Sequence, residues 1–304
     1  APGADTSTPA RALLSACGTK IRVPNPLRHS LPHPPISLAN PFLPRSMQAS
    51  SGFQDYLLGD QQARNPANIA LFEAVAAGER RDVREVLKRH PTASPNWFNT
   101  EEDSKNAFML ACERGFFDLI DLLLDAPVPA CIEAKQLSSG NTPIFFAVIY
   151  NPISDTILNK LIERGADVRA KNIYGNTPLH EAAKVASVSK IQRLIDCGAE
   201  VEARNNKGST PLLFSIYAFD SPVEIVIPAV HCLLDNGASV LVADNEGMTP
   251  LHVAAARGEV QLIEELLSKG AQINAKTSRG ETPLDVARFH NHRQAIEFLT
   301  ARAN

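Results

Sequence analysis

The 304-residue sequence lacks several things that would place it quickly. It has no run of about 18 uncharged apolar residues, so nothing in it reads as a membrane-spanning helix. It has no Cys-x-x-Cys pair and no Asn-x-Ser/Thr acceptor, and its five cysteines (Cys17, Cys112, Cys131, Cys197, Cys232) are an odd number. A disulfide scaffold is therefore excluded, and free thiols in a reducing compartment are expected, most of them serving as buried packing groups. It also has no strong charge of either sign. A formal net charge of −3 argues against a nucleic-acid binder led by electrostatics. With 44% hydrophobic residues the chain has ample material for a core, and it is neither collagen-like nor wholly disordered.

Catalytic and metal-binding patterns are equally sparse. There is no Gly-rich phosphate loop with a lysine. His180-Glu181-Ala182-Ala183-Lys184 lacks the second histidine of a zinc-protease helix. Ser187-x-x-Lys190 has the spacing of a Ser–Lys nucleophile but none of its partner motifs. His290 and His292 stand without a cysteine or carboxylate at metal spacing. No catalytic, cofactor-binding or metal-binding residue is assigned, and the chain is expected not to be an enzyme.

Charge and proline are unevenly spread. Residues 1–66 carry six basic and three acidic residues, and the other 238 carry 24 basic and 30 acidic. Nine of the 22 prolines lie in the first 50 residues. Residues 1–64 therefore read as a basic, Pro-rich, extended arm, partly polyproline II. Three roles stay open for it: a tail, an arm that orders on a partner, or a targeting leader. Asp5 is the only acidic residue in the first 50, which suits organelle import, whereas the prolines forbid the amphipathic helix such leaders form. The sequence does not begin with Met, and Ala1 reads equally as a processed or an incomplete start. Pro32-x-x-Pro35 and Pro41-x-x-Pro44 have the minimal spacing for polyproline-reading grooves.

The rest of the chain, residues 65–304, is dominated by a repeated tripeptide. Thr142-Pro143-Ile144, Thr177-Pro178-Leu179, Thr210-Pro211-Leu212, Thr249-Pro250-Leu251 and Thr282-Pro283-Leu284 are separated by 35, 33, 39 and 33 residues. Each opens an Ala-rich helical stretch. An apolar helix follows, and four of the units then close on Gly-Ala: Gly165-Ala166, Gly198-Ala199, Gly237-Ala238, Gly270-Ala271. Asn106 and Ile69 align with the threonine in two degenerate earlier units, giving seven in all. Proline in the first helical turn needs no amide donor, the preceding Thr caps the helix, and the glycine ends the second helix in a left-handed conformation.

This pattern resembles the ankyrin repeat family, most clearly at Thr249-Pro-Leu-His-Val-Ala-Ala-Ala-Arg-Gly258. The resemblance implies an all-α solenoid of helix-turn-helix plus hairpin units sharing one elongated core. It also implies that His180 and His252 tie helix starts to neighbouring backbone. Departures are expected in three places. The fifth repeat is lengthened near Ala218–Pro228, the third carries extra residues near Asn151-Pro152, and Pro91–Lys105 should form an irregular hairpin. There the single tryptophan, Trp97, either packs on the first repeats or anchors an interface.

The same resemblance implies a non-catalytic protein-interaction module. It would act as scaffold, adaptor or assembly subunit through a concave face of hairpin tips and first-helix surfaces. Alignment on the threonine slot places Tyr150, Tyr174, Tyr217, Met248, Arg257, Arg279, Phe289 and His290 on that face. Ile149, Lys184, Lys207 and Glu246 join them. Tyrosine gives rigid amphipathic contact area, so these aromatics are interface candidates, the alternative being that they pack on neighbouring helices. The expected partners are other proteins, with no nucleic acid and no membrane span, in a hetero-complex. The occupant of the face could also be the chain's own arm. The expected location is the cell interior, cytoplasmic or alternatively mitochondrial or plastid, the last two as an accessory subunit of a large complex.

Overall fold

The structure, a computed structural model, describes residues 65–100, 104–150, 155–219 and 221–303. The readings placed on residues 1–64 lie outside these, as do Asn151 and Pro152. Among the described residues, fourteen helices form seven pairs. The pairs are α1 (Pro66–Ala77) with α2 (Arg80–Arg89), α3 (Ala107–Arg114) with α4 (Phe117–Leu124), α5 (Pro143–Tyr150) with α6 (Thr156–Glu163), and α7 (Pro178–Lys184) with α8 (Val188–Asp196). Then come α9 (Pro211–Ile216) with α10 (Val223–Asp235), α11 (Pro250–Arg257) with α12 (Val260–Ser268), and α13 (Pro283–Phe289) with α14 (Arg293–Ala303). The two-residue strands β1 (Phe98–Asn99) and β2 (Lys105–Asn106) pair antiparallel between the first two units, where the sequence predicts an irregular hairpin.

The first helix of each pair packs on the first helix of the next, from α1 to α13, and the second helices back them. Alanine makes this close stacking possible. Ala111, Ala147, Ala182, Ala183, Ala254, Ala255 and Ala287 are buried with almost no exposed surface. Around them Phe108, Phe145, Phe146, Leu158, Leu161 and Ile191 fill one continuous apolar core. The second helices are amphipathic. In α2 the charged residues lie outside while Val83 and Leu87 are buried. Trp97 packs edge-on against Phe72 at 6.2 Å, so it belongs to the wall of the first repeats.

The helix starts follow the Thr-Pro chemistry. Thr177, Thr210, Thr249 and Thr282 are N-caps in extended conformation, each followed by proline. The histidines work in both directions. His180 Nδ1 accepts the Thr177 N–H at 3.1 Å, and Nε2–H donates to the Ser209 carbonyl of the next repeat at 3.0 Å. His252 repeats this with Thr249 (3.2 Å) and the Glu281 carbonyl (3.1 Å). Asp285 holds the slot in the last pair and closes a capping box on Thr282 without reaching onward. Phe145 and Leu213 hold the slot in the third and fifth units. The buried hydroxyls of Thr142 and Thr210 there have no hydrogen-bond partner among the described residues.

In five units the chain turns left-handed nine residues after the threonine slot. Gly78 (φ 78°), Gly115 (79°) and Gly258 (76°) occupy this position, but so do Ala186 (50°) and Asn291 (58°). At Gly258 a Cβ would lie 2.4 Å from the His292 ring, so the glycine is required for close approach as well as for conformation. In the fifth unit the excess residues divide between a loop after α9 and a 13-residue α10 with Pro228 inside it. Pro228 donates nothing to the helix and lies on its exposed side.

Two outcomes follow. Ala186→Gly should stabilise the protein by about 0.5–1 kcal/mol, because an alanine in the left-handed region carries a steric cost glycine avoids. Chemical denaturation checks this, and a loss of stability would contradict it. Burial lowers the His180 pKa to about 4, and burial lowers that of His252 as well. The unfolded chain therefore binds protons that the folded chain does not as pH falls below about 6.5. Stability present above that value should be lost towards pH 4, by roughly 3 kcal/mol for His180. Urea unfolding at pH 7 and pH 4.5 should show the loss, and His180→Gln should flatten it.

Candidate interaction face

Between repeats the chain forms hairpins whose tips are built by side chain–backbone turns. Asn172 Oδ1 accepts from the N–H groups of Tyr174 and Asn176, both at 3.0 Å. Asn205 does the same for Lys207 and Ser209 (2.9 and 3.0 Å), and Asp244 for Glu246 and Met248 (3.0 Å each). Short polar side chains in a tight turn favour this geometry. The Asn side chains also reach sideways: Asn172 Nδ2 donates to Asn141 (3.0 Å) and Asn205 Nδ2 to Asn176 (2.9 Å).

Successive tips are joined by one backbone hydrogen bond per repeat. Ile173 N–H donates to the Ser139 carbonyl (3.0 Å), Asn206 to Tyr174 (3.0 Å), Asn245 to Lys207 (2.9 Å) and Ser278 to Glu246 (2.9 Å). The same tip position therefore recurs in register, and Tyr174, Lys207, Glu246 and Arg279 form one row. A second row runs along the C-terminal ends of the first helices, with Tyr150, Lys184, Tyr217, Arg257, Phe289 and His290. Tyr217 bridges the rows, its hydroxyl donating to Asp244 Oδ2 at 3.2 Å.

The candidate residues differ in how much of them is free. Tyr150 is 49% exposed and stacks on Phe146 at 6.0 Å; Tyr174 is 58% exposed; Phe289 is 82% exposed and meets His290 edge-on at 5.1 Å. Tyr217 and Met248 are half-buried against the core. Burial first, then the Asp244 charge, raises the Tyr217 hydroxyl pKa far above its usual range, so it stays a donor. Arg257 is engaged: it donates to the carbonyls of Ile216 (3.2 Å), Ala218 (2.6 Å) and Ser221 (2.8 Å), clamping the loop after α9. Its guanidinium also lies 5.6 Å from the Phe219 ring centre. The Arg279 side chain is exposed, and the His290 ring stacks on His292 at 5.9 Å.

Some residues near this face had no sequence signal. Phe219 (53% exposed) lies in the insertion, where no other repeat has an aligned position. Lys105 comes from β2, pairs with Glu113 at 2.7 Å and lies about 6 Å from both the Phe146 and Tyr150 ring centres. Ile173, beside Tyr174 at the tip, is the one that hairpin position alone could have flagged.

Lys190 of the Ser187–Lys190 pair is buried and donates to the carbonyls of Ala147 (3.1 Å) and Val148 (2.9 Å). This is helix capping rather than nucleophile activation. His292 likewise donates to the Ala256 carbonyl at 2.8 Å. Among the described residues no three His, Cys, Asp or Glu side chains are placed to hold a metal ion. No described helix is long and apolar enough to cross a membrane.

Replacing Arg257 by Ala should destabilise the protein by about 1–3 kcal/mol, since buried carbonyls lose a charged donor. Chemical denaturation measures this, and an unchanged midpoint would show that the clamp carries nothing.

A search of curated proteins returned no match. The family profile described as ankyrin repeats (3 copies) matches residues 71–172, 151–227 and 224–304. Those matches cover well over half of the sequence and run from within α1 to the end of the array of helix pairs, and the chain belongs to the ankyrin repeat family.

Proposed function

We propose that residues 65–304, built of ankyrin repeats, which are in general non-catalytic protein–protein interaction modules, act as one such binding domain, making the chain a scaffold, adaptor or assembly subunit. Its binding surface is the face between the hairpin tips and the ends of the first helices. The observation that carries this is the set of large aromatic side chains, Tyr150, Tyr174 and Phe289, standing 49%, 58% and 82% exposed along that face. An isolated exposed aromatic needs no explanation, but three on one face of a rigid array fit the anchors of an interface.

A more specific version makes the chain an accessory subunit of a large organellar complex, with the arm reaching across neighbours. Its support is compositional: one acidic residue among the first 50, and nine prolines.

Two measurements test these readings. Changing Tyr150, Tyr174 and Phe289 together to Ala should weaken partner capture at least tenfold, with little change in thermal midpoint, as losing interface anchors does. Undiminished capture would remove the face from consideration. Crosslinking mass spectrometry on native extract separates the two versions, because Lys20 is the only lysine in residues 1–64. Crosslinks from Lys20 to a fixed set of proteins support the assembly subunit. Crosslinks confined to Lys184 and Lys207 support the free adaptor.

A further inference from the structure

Away from the candidate face, α8 and α10 are joined by a small polar network. Asn236 is the C-cap of α10, and its side-chain amide donates twice. It reaches Gln192 Oε1 on α8 at 3.0 Å and the Cys232 carbonyl one turn back at 2.8 Å. Gln192 Nε2 in turn donates to Asp196 at 2.8 Å, and Cys232 Sγ lies 3.6 Å from Gln192 Oε1. A glycine follows, and Asn236-Gly237 is the only Asn-Gly step in the 304 residues. The C-caps of the aligned second helices α6, α8 and α12 are Arg164, Cys197 and Lys269, each also before glycine. An Asn-Gly step is chemically labile. The glycine nitrogen attacks the asparagine Cγ, the Cγ–Nδ2 bond breaks, and ammonia leaves with the proton of that backbone amide. Water then opens the five-membered imide at one of its two carbonyls. The products are aspartate and isoaspartate, the second with an extra methylene in the main chain. No side chain shields the attacking nitrogen here: Gly237 is exposed, and nothing lies within 4 Å of where a Cβ would stand. The fold restrains both reacting groups. The Gly237 N–H donates to the Leu234 carbonyl and the Ala238 N–H to the Leu233 carbonyl, both at 3.0 Å, the two bonds of a left-handed glycine cap. The carboxamide is held by Gln192 and Cys232.

We propose that Asn236 is a deamidation site gated by this cap, and that its conversion unlocks the junction between the fourth and fifth units. Opening of the cap frees the Gly237 nitrogen and the carboxamide together, so the reaction follows local opening. The product cannot restore the contact. A carboxylate at position 236 would face two acceptors, Gln192 Oε1 and the Cys232 carbonyl, where a donor stood before. Turning the Gln192 amide over only moves its oxygen onto Asp196. The new charge also joins Asp196 and Asp235, and of these Asp235 already has Lys269 at 3.8 Å. Isoaspartate adds a second fault. Its extra methylene lies between Asn236 Cα and the Gly237 nitrogen, so the Gly237 and Ala238 amides are displaced from the Leu234 and Leu233 carbonyls. The change is one-way, which makes this step a permanent record of how often the junction has opened. It is independent of which face binds a partner.

The test is timed incubation of the full chain at mildly alkaline pH, read by peptide mapping with mass spectrometry and by enzymatic methylation of isoaspartate. The proteins compared are wild type, Gln192→Ala and Asn236→Gln, with unfolding midpoints measured for all three. In wild type, Asn236 should convert ahead of every other asparagine of residues 65–304. Conversion should be about tenfold faster or more in urea above the unfolding transition than in buffer, because the gate is then open. Gln192→Ala, which removes one restraint and keeps the Asn-Gly step, should convert in buffer at a rate between the two. Asn236→Gln should form no isoaspartate at this site. Converted wild type, separated by ion exchange, should have a lower unfolding midpoint than the unconverted protein. Its Gly237 and Ala238 amides should exchange about tenfold faster or more. Another asparagine converting first would reject the site. Equal rates in folded and unfolded chain, or Gln192→Ala no faster than wild type, would reject the gate. Unchanged exchange and midpoint in the converted protein would reject the unlocking.

Discussion

Each repeat of this protein satisfies its polar backbone with the repeat beside it. The hairpin N–H of one unit reaches the tip carbonyl of the unit before it, four times from Ile173 to Ser278. His180 and His252 tie the start of their own helix to the backbone one repeat on. A single unit would leave these groups to water and could bury only one face of its helices, so the array is stable only as an array. The tip-to-tip bond has a further consequence. Because it recurs at the same position, it fixes the register of the tip side chains, and unrelated residues become one row.

The opposite ends of the first helices are held by donor side chains from the following unit. Arg114 donates to Ala76, Lys190 to Ala147 and Val148, Arg257 to Ile216 and Ala218, and His292 to Ala256. Exposed helix C-terminal carbonyls carry partial negative charge, and a positive or hydrogen-bonding group there is favourable. These contacts explain why Lys190, which is completely buried, is tolerated, although burial lowers its pKa. They also separate charges that build the stack from charges left free on its surface.

Much of the fold was legible in the sequence because the repeat chemistry is local. Thr-Pro, the aligned alanines and the glycines each act within a few residues, so seven helix pairs could be read off spacing alone. The two-way bonding of His180 and His252 followed from the family resemblance. What was not legible depends on contacts between repeats. Arg257 aligns with surface positions, yet the loop created by the long fifth repeat draws it inward. Lys190 looks like a solvent lysine until the end of α5 is placed above it. Ala186 takes a left-handed position that glycine fills in other units, and no residue-type rule marks it, whereas Asn291 is a residue type that tolerates that conformation. On the candidate face, alignment alone did not separate the exposed Tyr150, Tyr174 and Phe289 from the half-buried Tyr217 and Met248, which depends on contacts with neighbouring helices.

The central claim is that inter-repeat bonds at the hairpin tips order the face. Native-state hydrogen exchange of the Asn206 and Asn245 amides tests it most directly. These residues are exposed, yet each N–H donates across a repeat junction. The account gives them slow exchange, opening together with the first helices they bridge. Exchange as fast as that of an unbonded loop amide, with the helices still protected, would contradict it.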